Sequence, residues 1–252
     1  MRIGLLFMAL AGFILSCSQL AKKEEAKVSF EMRSFHAESE NCKTDSTACA
    51  TFDVTYPEFT QLDTTVQAIF YEQLTGIVTN GEEDAAQSIE EEGKNFVEDF
   101  AQMKLEMPDL TLAWYFKSTS NVLIASDTLI SVQVDVDSFM GGAHGMYTTS
   151  FINIDSKNGA PYLIDRFLKP GYQTFLNELG EEEFREEQEL ADTTSLEQAG
   201  FSFPENRFQL NDNYGLRKEG IVFFYNSYEV GPYSMGSTEI IIPYEKLRGW
   251  FK

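Results

Sequence analysis

The sequence predicts an α+β fold, because its helical and strand-like segments come in separate blocks rather than in regular alternation. Two patterns support this class. Apolar residues recur at helical spacing over residues 62–77, and they alternate strictly with polar residues over residues 130–137. The predicted order is a disulfide-clipped β-hairpin, two helices, a mixed or antiparallel sheet with a further helix, and a short C-terminal helix.

Residues 1–16 have the layout of a secretory signal peptide. Arg2 is followed by an apolar run that is shorter than the ~20 residues of a membrane span. Ser16-Cys17 resembles the end of a bacterial lipobox, in which the cysteine is acylated, as with palmitate, and becomes the new N-terminus. We therefore expect a lipoprotein modified at Cys17, anchored to a bacterial membrane on the periplasmic side or at the cell surface. The alternative is an ordinary cleaved signal peptide with an incidental cysteine.

Residues 17–27 are polar and have no sustained apolar period, which is typical of a tether. The membrane should therefore be contacted through the lipid anchor only. The folded part is predicted to have two units, which are an N-terminal α+β subdomain over residues 28–110 and a C-terminal α+β domain over residues 111–252.

The first unit should begin with a β-hairpin. Polar and apolar residues alternate over 28–33 and again over 50–56, and the loop between these segments contains Cys42 and Cys49. In an exported chain, two cysteines this close in sequence predict a disulfide that closes a small loop. Redox or metal use is the alternative, and it ranks lower because no His, Cys or Asp cluster completes a site. No metal and no cofactor are predicted.

Two amphipathic helices should follow the hairpin. The first covers residues 62–77 with Asp63 and Thr64 as capping candidates, and the second covers residues 82–103 with an acidic face turned to solvent. After Pro108 the pattern changes to strands, with one more helix following Pro170. The last predicted elements are strands near residues 221–225 and 238–242 and a terminal helix.

The chain carries 19 basic and 40 acidic side chains, a net charge of −21. Such an excess of negative charge argues against nucleic acid and anionic membrane surfaces as partners. It favours faster encounter with a basic partner, although solubility alone explains it as well.

The most unusual stretch of backbone surrounds His144. Gly141, Gly142 and Gly145 flank this residue between two predicted strands, and glycine permits positive φ angles and close backbone approach. One interpretation is a ligand-binding loop that uses Gly141, Gly142, His144 and Tyr147, with His144 as a donor or an acid–base group. The simpler interpretation, which we favour, is a hairpin connection whose histidine bonds neighbouring backbone.

Asp135 and Asp137 lie two residues apart on a predicted strand and so project from the same face. With His144 they are the weak candidates for an acid–base or metal cluster, but the solvated face of a sheet explains them more simply. The sequence has neither a nucleophile-elbow motif nor a phosphate-binding glycine loop. No catalytic residue is therefore predicted.

A second candidate surface is the glycine- and tyrosine-rich loop near the C-terminus. Tyr228, Pro232 and Tyr233 could present aromatic faces to a glycan or a protein, or they could pack at the edge of a sheet and hold the loop rigid.

Several motifs together resemble the RsiV-like family of extracytoplasmic domains. They are Tyr56-Pro57-Glu58-Phe59, the segments 141–145 and 163–167, and the C-terminal segments 220–233 and 240–244. Members of that family include the lysozyme-binding outer part of an anti-sigma factor and a module beside a peptidoglycan deacetylase domain. The resemblance implies a non-enzymatic cell-envelope binding module whose partner is a basic envelope protein, such as a lysozyme, or a peptidoglycan fragment.

Two other functions stay open. One is a cell-wall hydrolase or deacetylase-like enzyme that uses His144 with Asp135 or Asp137. The other is a structural or assembly lipoprotein that needs no small ligand.

Overall fold

The structure is a computed structural model that describes residues 28–81, 86–109 and 111–252. The predicted signal peptide, the lipidation site Cys17 and the tether lie outside the described residues. Two sheets and three α-helices make up the described chain, so the predicted α+β class is confirmed. Within these residues, no helix has both the length and the apolar character needed to cross a membrane.

The first sheet has five strands in the order β1-β2-β3-β4-β5. They are β1 (Phe30–Glu38), β2 (Ala50–Phe59), β3 (Trp114–Ala125), β4 (Ile130–Phe139) and β5 (Met146–Ile154). Neighbouring strands are antiparallel except for β2 and β3, which run parallel. A parallel pair needs a long connection that returns the chain to the same end of the sheet, and the two helices between β2 and β3 supply it. The predicted boundary between residues 110 and 111 therefore falls between two strands of one sheet.

Helices α1 (Thr64–Val78) and α2 (Ile89–Glu106) cover one face of this sheet. Asp63 caps α1 as predicted, since its side chain accepts a hydrogen bond of 2.8 Å from the backbone nitrogen of Thr65. The core between helices and sheet contains Phe52, Phe70 and Phe100, each at most 1% exposed. Along β4, the valines at 132, 134 and 136 face this core, so the intervening polar residues face the other side.

The second sheet has three antiparallel strands, β6 (Tyr214–Leu216), β7 (Gly220–Tyr225) and β8 (Thr238–Pro243). Helix α3 (Tyr172–Glu187) packs on it and inserts Phe184, which is fully buried. The segment 201–210, which has no periodic pattern, supplies three buried phenylalanines to the same core, at positions 201, 203 and 208. The predicted terminal helix is a 3₁₀ helix, Tyr244–Trp250.

The second sheet contacts the face of β4 and β5 that α1 and α2 leave uncovered. Arg217 donates two hydrogen bonds to Glu239 at 2.8 and 2.7 Å and a third to the side chain of Gln133 on β4. A β-carbon on Gly215 would lie 2.4 Å from the ring of Phe151, so β6 can approach β5 only with glycine at this position. The second sheet therefore covers part of the polar side of β4, and the C-terminal end of this strand, near Asp137, stays exposed.

Candidate functional site

At this exposed end, the loop between β4 and β5 meets the loop between β7 and β8. The rings of His144, Tyr228 and Tyr233 contact one another there, and Tyr115 and Tyr147 lie on either side of the neighbouring Asp137. We name these five residues the aromatic platform. Tyr115 and Tyr147 belong to the strands that flank Asp137 on β4. The platform thus combines the two candidate surfaces that the sequence indicated separately.

The glycines shape the β4–β5 loop as expected. Gly141 and Gly142 both have φ of 100°, a conformation that other residues rarely adopt. Gly145 serves a different purpose, because a β-carbon there would lie 3.0 Å from the carbonyl oxygen of Ser138 and 3.1 Å from the hydroxyl of Tyr115. Glycine at position 145 therefore lets the loop lie against the Tyr115 hydroxyl.

His144 joins the two loops. Its Nδ1 lies 2.8 Å from the carbonyl oxygen of Gly145, and because a carbonyl only accepts, Nδ1 must carry the proton. In the neutral ring, Nε2 then accepts from the Tyr228 hydroxyl at 3.2 Å. The imidazole also stacks on Tyr233 with the ring centres 3.8 Å apart. The backbone contact favoured from the sequence is present, and the two contacts with distant tyrosines add a role that the sequence did not show.

Tyr228 is held in a conformation that costs energy. Its φ is 72°, which is unusual for an aromatic residue and is tolerated where surrounding contacts fix the backbone. Glu229 accepts a hydrogen bond of 2.8 Å from the backbone nitrogen of Asn226. The Asn226 amide in turn bonds both the nitrogen and the oxygen of Thr149 on β5, at 2.8 and 3.1 Å. The loop is therefore attached to the sheet before any ligand arrives.

Pro232, the third residue predicted in this loop, precedes the 3₁₀ turn Tyr233–Met235. This turn places the Tyr233 hydroxyl 3.2 Å from the carbonyl oxygen of Gly145, to which it donates. The Gly145 carbonyl thus accepts from both His144 and Tyr233, and this shared acceptor fixes the stacked pair of rings.

Asp135 and Asp137 point to the same side, but neither is a hydrogen-bond partner of His144. Asp135 accepts from Thr149, Gln133 and Asn121, with the shortest bond, 2.7 Å, from the Thr149 hydroxyl. Asp137 accepts from the Tyr115 hydroxyl at 3.1 Å. The three residues that the sequence offered as weak candidates for an acid–base cluster are therefore not linked by a hydrogen bond between His144 and either aspartate. Over residues 28–81, 86–109 and 111–252, no three His, Cys, Asp or Glu side chains are placed to hold a metal ion.

Three of the platform rings are accessible to a ligand. Tyr228 is 56% exposed, Tyr147 44% and Tyr115 37%. Partial burial raises the pKa of both Tyr115 and Tyr147. The carboxylate of Asp137 raises the pKa of Tyr115 further, and those of Asp135 and Asp137 raise the pKa of Tyr147, so both phenols stay neutral near physiological pH. The surface offers aromatic faces for stacking, phenol groups that donate, and carboxylates that accept.

Cys42 and Cys49 are free thiols, so the predicted disulfide between them is not formed in this structure. The Cys42 thiol donates to the carbonyl of Ala50 at 3.3 Å, and the Cys49 thiol to that of Ser46 at 3.8 Å. Burial and the neighbouring Cys42 raise the pKa of Cys49 to about 11. The two thiols lie near each other in the connection between β1 and β2, where one acceptor carbonyl belongs to the first residue of β2 and the other to a short 3₁₀ turn.

Oxidation of these thiols should stabilise the protein. A bond between Cys42 and Cys49 would close a short loop and raise the free energy of unfolding by about 2–3 kcal/mol. The measurement is urea unfolding of the oxidised and the reduced protein. The Cys42→Ser variant is the control, because oxidation should leave its midpoint unchanged. Equal midpoints for the oxidised and reduced wild-type protein would contradict a native disulfide here.

Sequence reasoning missed the residues that position the platform. Tyr115, Asn213 and Asn226 act across long separations: Asn213 and Asn226 both donate to the carbonyl of Thr149. One signal was present for Tyr115, which is the outward-facing neighbour of two inward-facing aromatic residues at 114 and 116.

Comparison with known families divides the chain in two. Residues 42–147 match the family model described as Deacetylase PdaC, and residues 165–245 match that of a protein of unknown function, DUF3298. The first segment contains Tyr115, His144 and Tyr147, and the second contains Tyr228 and Tyr233, so the aromatic platform is built from both. The narrower RsiV-like resemblance stays a prediction.

Two solved structures share the fold. A DUF3298 family member from Bacteroides fragilis aligns with a TM-score of 0.66 and 22% identity, over 90% of this chain and 95% of its own. A DUF3298 family protein from Pseudomonas aeruginosa aligns with a TM-score of 0.64 and 18% identity, over 90% of this chain and 96% of its own. At these identities the likeness establishes the fold alone. No curated protein matches the chain.

Proposed function

We propose that the protein is a non-enzymatic binding module of the bacterial cell envelope and that the aromatic platform recognises a cell-wall glycan, such as a peptidoglycan fragment. An RsiV-like domain attached to a membrane by a lipid on Cys17 fits this role. The match of residues 42–147 to a model named for a deacetylase supports a connection with envelope polysaccharide.

One observation carries the proposal. Tyr228 is 56% exposed although its backbone is strained and the start of its loop is fixed at two points, by the hydrogen bond between Tyr228 and His144 and by the amide of Asn226. A loop that needed only to connect two strands would not require this arrangement. A rigid exposed ring loses little conformational freedom on binding, which is how tyrosine contributes to recognition surfaces.

A sugar ring fits the chemistry of the platform. Its C–H face can lie on an aromatic ring, whose face is electron-rich, while its hydroxyl groups donate to nearby carboxylates. Asp137 and Glu229 lie beside the platform and supply such acceptors. The Tyr115 hydroxyl donates to Asp137, and its oxygen can still accept a hydrogen bond from a sugar hydroxyl or an acetamido N–H group, as can that of Tyr147.

Replacing Tyr228 by alanine should weaken glycan binding at least tenfold, about 1.4 kcal/mol, because the exposed stacking face is lost. The measurement is calorimetric titration of the purified protein with soluble peptidoglycan fragments. Phe30→Ala is the matched control, since Phe30 is also exposed, at 39%, but lies on β1 at the opposite edge of the sheet. Binding that survives in Tyr228→Ala, or no binding by the wild-type protein, would contradict the proposal.

A basic envelope protein of the lysozyme kind is the second candidate ligand. The net charge of −21 favours it, because complementary charge speeds encounter and orients the partners. Binding of a lysozyme that weakens steeply with added salt would support this candidate. Loss of that binding in Tyr228→Ala would place the lysozyme on the same platform.

An enzyme that uses His144 with Asp135 or Asp137 is the alternative from another class. The model that matches residues 42–147 carries the name of a deacetylase, and this segment contains all three residues. Both ring nitrogens of His144 are engaged, so catalysis would require Tyr228 to release Nε2. Turnover of a muropeptide panel that disappears in a folded His144→Ala variant would replace the binding proposal with this one.

A further inference from the structure

A cavity of about 300 Å³ lies beside the first turns of α3, and the aromatic platform contributes no residue to it. Its walls come from the segments 163–165, 172–177 and 209–214, with Phe223 of β7 behind them. The proposed function does not use this cavity. Its volume is at the lower limit of small-molecule sites, which suits a short chain rather than a large planar ligand.

The inner part of the cavity is apolar. Ile164, Leu176 and Phe223 line it and are themselves 6%, 4% and 2% exposed. Because these side chains belong to the second core, the inner surface is rigid and preformed. The rings of Tyr172 and Tyr214 complete the walls. Such a surface favours an aliphatic body that gains free energy by leaving water.

The lining also carries negative charge without positive charge. Two carboxylates, those of Asp165 and Asp212, line the cavity, whereas its lining includes no lysine, arginine or histidine. Asp212 has no hydrogen bond or ion pair with any other described residue, so its charge is available to a ligand. Burial raises the pKa of Tyr172 and of Tyr214, and the carboxylates of Asp165 and Asp212 raise both further. The two acids therefore lie around the same pair of rings.

We propose that this cavity binds a primary ammonium group at the end of a short aliphatic chain, as in a lysine side chain or a free diamino compound. The methylene groups would lie on Ile164, Leu176 and Phe223, and the ammonium would be shared by Asp165 and Asp212. An ammonium suits the site because it is a compact charge with three donors that do not require a planar partner. An anionic ligand would meet two carboxylates, because Lys252, whose ammonium bonds the backbone carbonyl of Asp165, does not belong to the lining.

Titration of the purified protein with n-pentylamine, followed by amide chemical shifts in NMR, tests the proposal. Pentan-1-ol and pentanoate are the matched neutral and anionic probes of the same length. We expect the amine to shift amides around residues 163–177 and 209–214, and to bind at least fivefold more tightly than pentan-1-ol. Equal affinity of the amine and the alcohol, or shifts elsewhere on the protein, would overturn the proposal.

Asp212→Asn should lower the affinity for pentylamine roughly fivefold with an unchanged melting temperature, because this exposed side chain stabilises nothing else. Asp192→Asn, another exposed aspartate away from the cavity, is the matched control and should bind pentylamine like the wild-type protein. Equal affinities in the two variants would show that the amine does not use the Asp212 carboxylate.

Two further probes distinguish the sources of the ammonium. A blocked lysine, with both backbone ends capped, represents a side chain on a protein partner, and free lysine represents a small diamino compound. Preference for the blocked form identifies a protein ligand, and preference for the free form identifies a small molecule. Tyr228→Ala should not change either affinity, so this proposal and the glycan proposal can fail independently.

Discussion

Replacing Phe184 by alanine is expected to lower the free energy of unfolding by about 3–5 kcal/mol, because a fully buried ring would be lost from a core that cannot collapse around the gap. Four aromatic rings surround Phe184, with ring centres 4.9 to 5.9 Å away: Phe201, Phe203, Phe208 and Tyr225. Three of them come from an irregular segment, and Tyr225 comes from β7. The gap left by the missing ring would therefore lie between α3 and the three-stranded sheet that α3 covers.

Urea unfolding measures this effect, and the two tryptophans show which of the two cores loses stability. Trp114 packs on Phe96 and Phe100 in the first core, whereas Trp250 stacks on Phe175 of α3. In a Trp114→Phe background, fluorescence therefore reports on the second core alone. Leu105→Ala is the control, since Leu105 is 77% exposed and its loss should change stability by less than about 0.5 kcal/mol. An equally small change in Phe184→Ala would contradict the described core.

Gly220→Ala should cost about 3 kcal/mol, although it adds a single methyl group. That methyl would lie 2.3 Å from the carbonyl oxygen of Ile242 and 3.0 Å from the Cα of Pro243. Both atoms belong to the backbone of β8, so no rotation of a side chain can relieve the overlap. The strand pair β7–β8 would have to separate at the position where Gly220 opposes Pro243.

Gly249→Ala is the matched control for this variant. The added methyl at Gly249 would have no neighbour within 4 Å, and the residue is exposed. Thermal unfolding should therefore show a clear decrease in melting temperature for Gly220→Ala and almost none for Gly249→Ala. Similar melting temperatures for the two variants would mean that β7 and β8 do not approach each other as closely as described.

The sequence contained enough information for most individual elements. Strict alternation predicts β4, and the spacing of apolar residues after Asp63 predicts α1, because each pattern reflects which side of a local structure is buried. Pairing between distant strands is not encoded in this way. The parallel contact of β2 with β3 joins residues separated by two helices, and local periodicity is the same for parallel and antiparallel neighbours.

The irregular segment 201–210 shows a second reason for failure. Its phenylalanines, at positions 201, 203 and 208, do not share one helical or strand period, yet they fill the second core from a connection in which the regular structure is one short 3₁₀ turn, Pro204–Asn206. Periodicity identifies a buried face only when a regular backbone repeats it. Burial that depends on an irregular path can be recognised only once Phe184 and Tyr225 are placed.

The candidate site was predictable in its parts. The positive φ angles at Gly141 and Gly142 follow from the residue type, and the exposure of Tyr228 follows from its loop. The junction of the two loops was not predictable, because His144 and Tyr228 are 84 residues apart and their contact depends on how the second sheet packs on the first.

The amide of Asn226 has a consequence for how copies of the protein behave toward one another. By bonding the nitrogen and oxygen of Thr149, and with Asn213 on the same oxygen, it fills backbone positions through which the outer edge of β5 could recruit a strand from another molecule. At the far edge, β1 presents charged side chains, including Glu31, Arg33 and Glu38. Side-chain amides at the β5 edge and charged side chains at the β1 edge thus oppose the addition of a strand from another molecule to the five-stranded sheet, and so oppose aggregation.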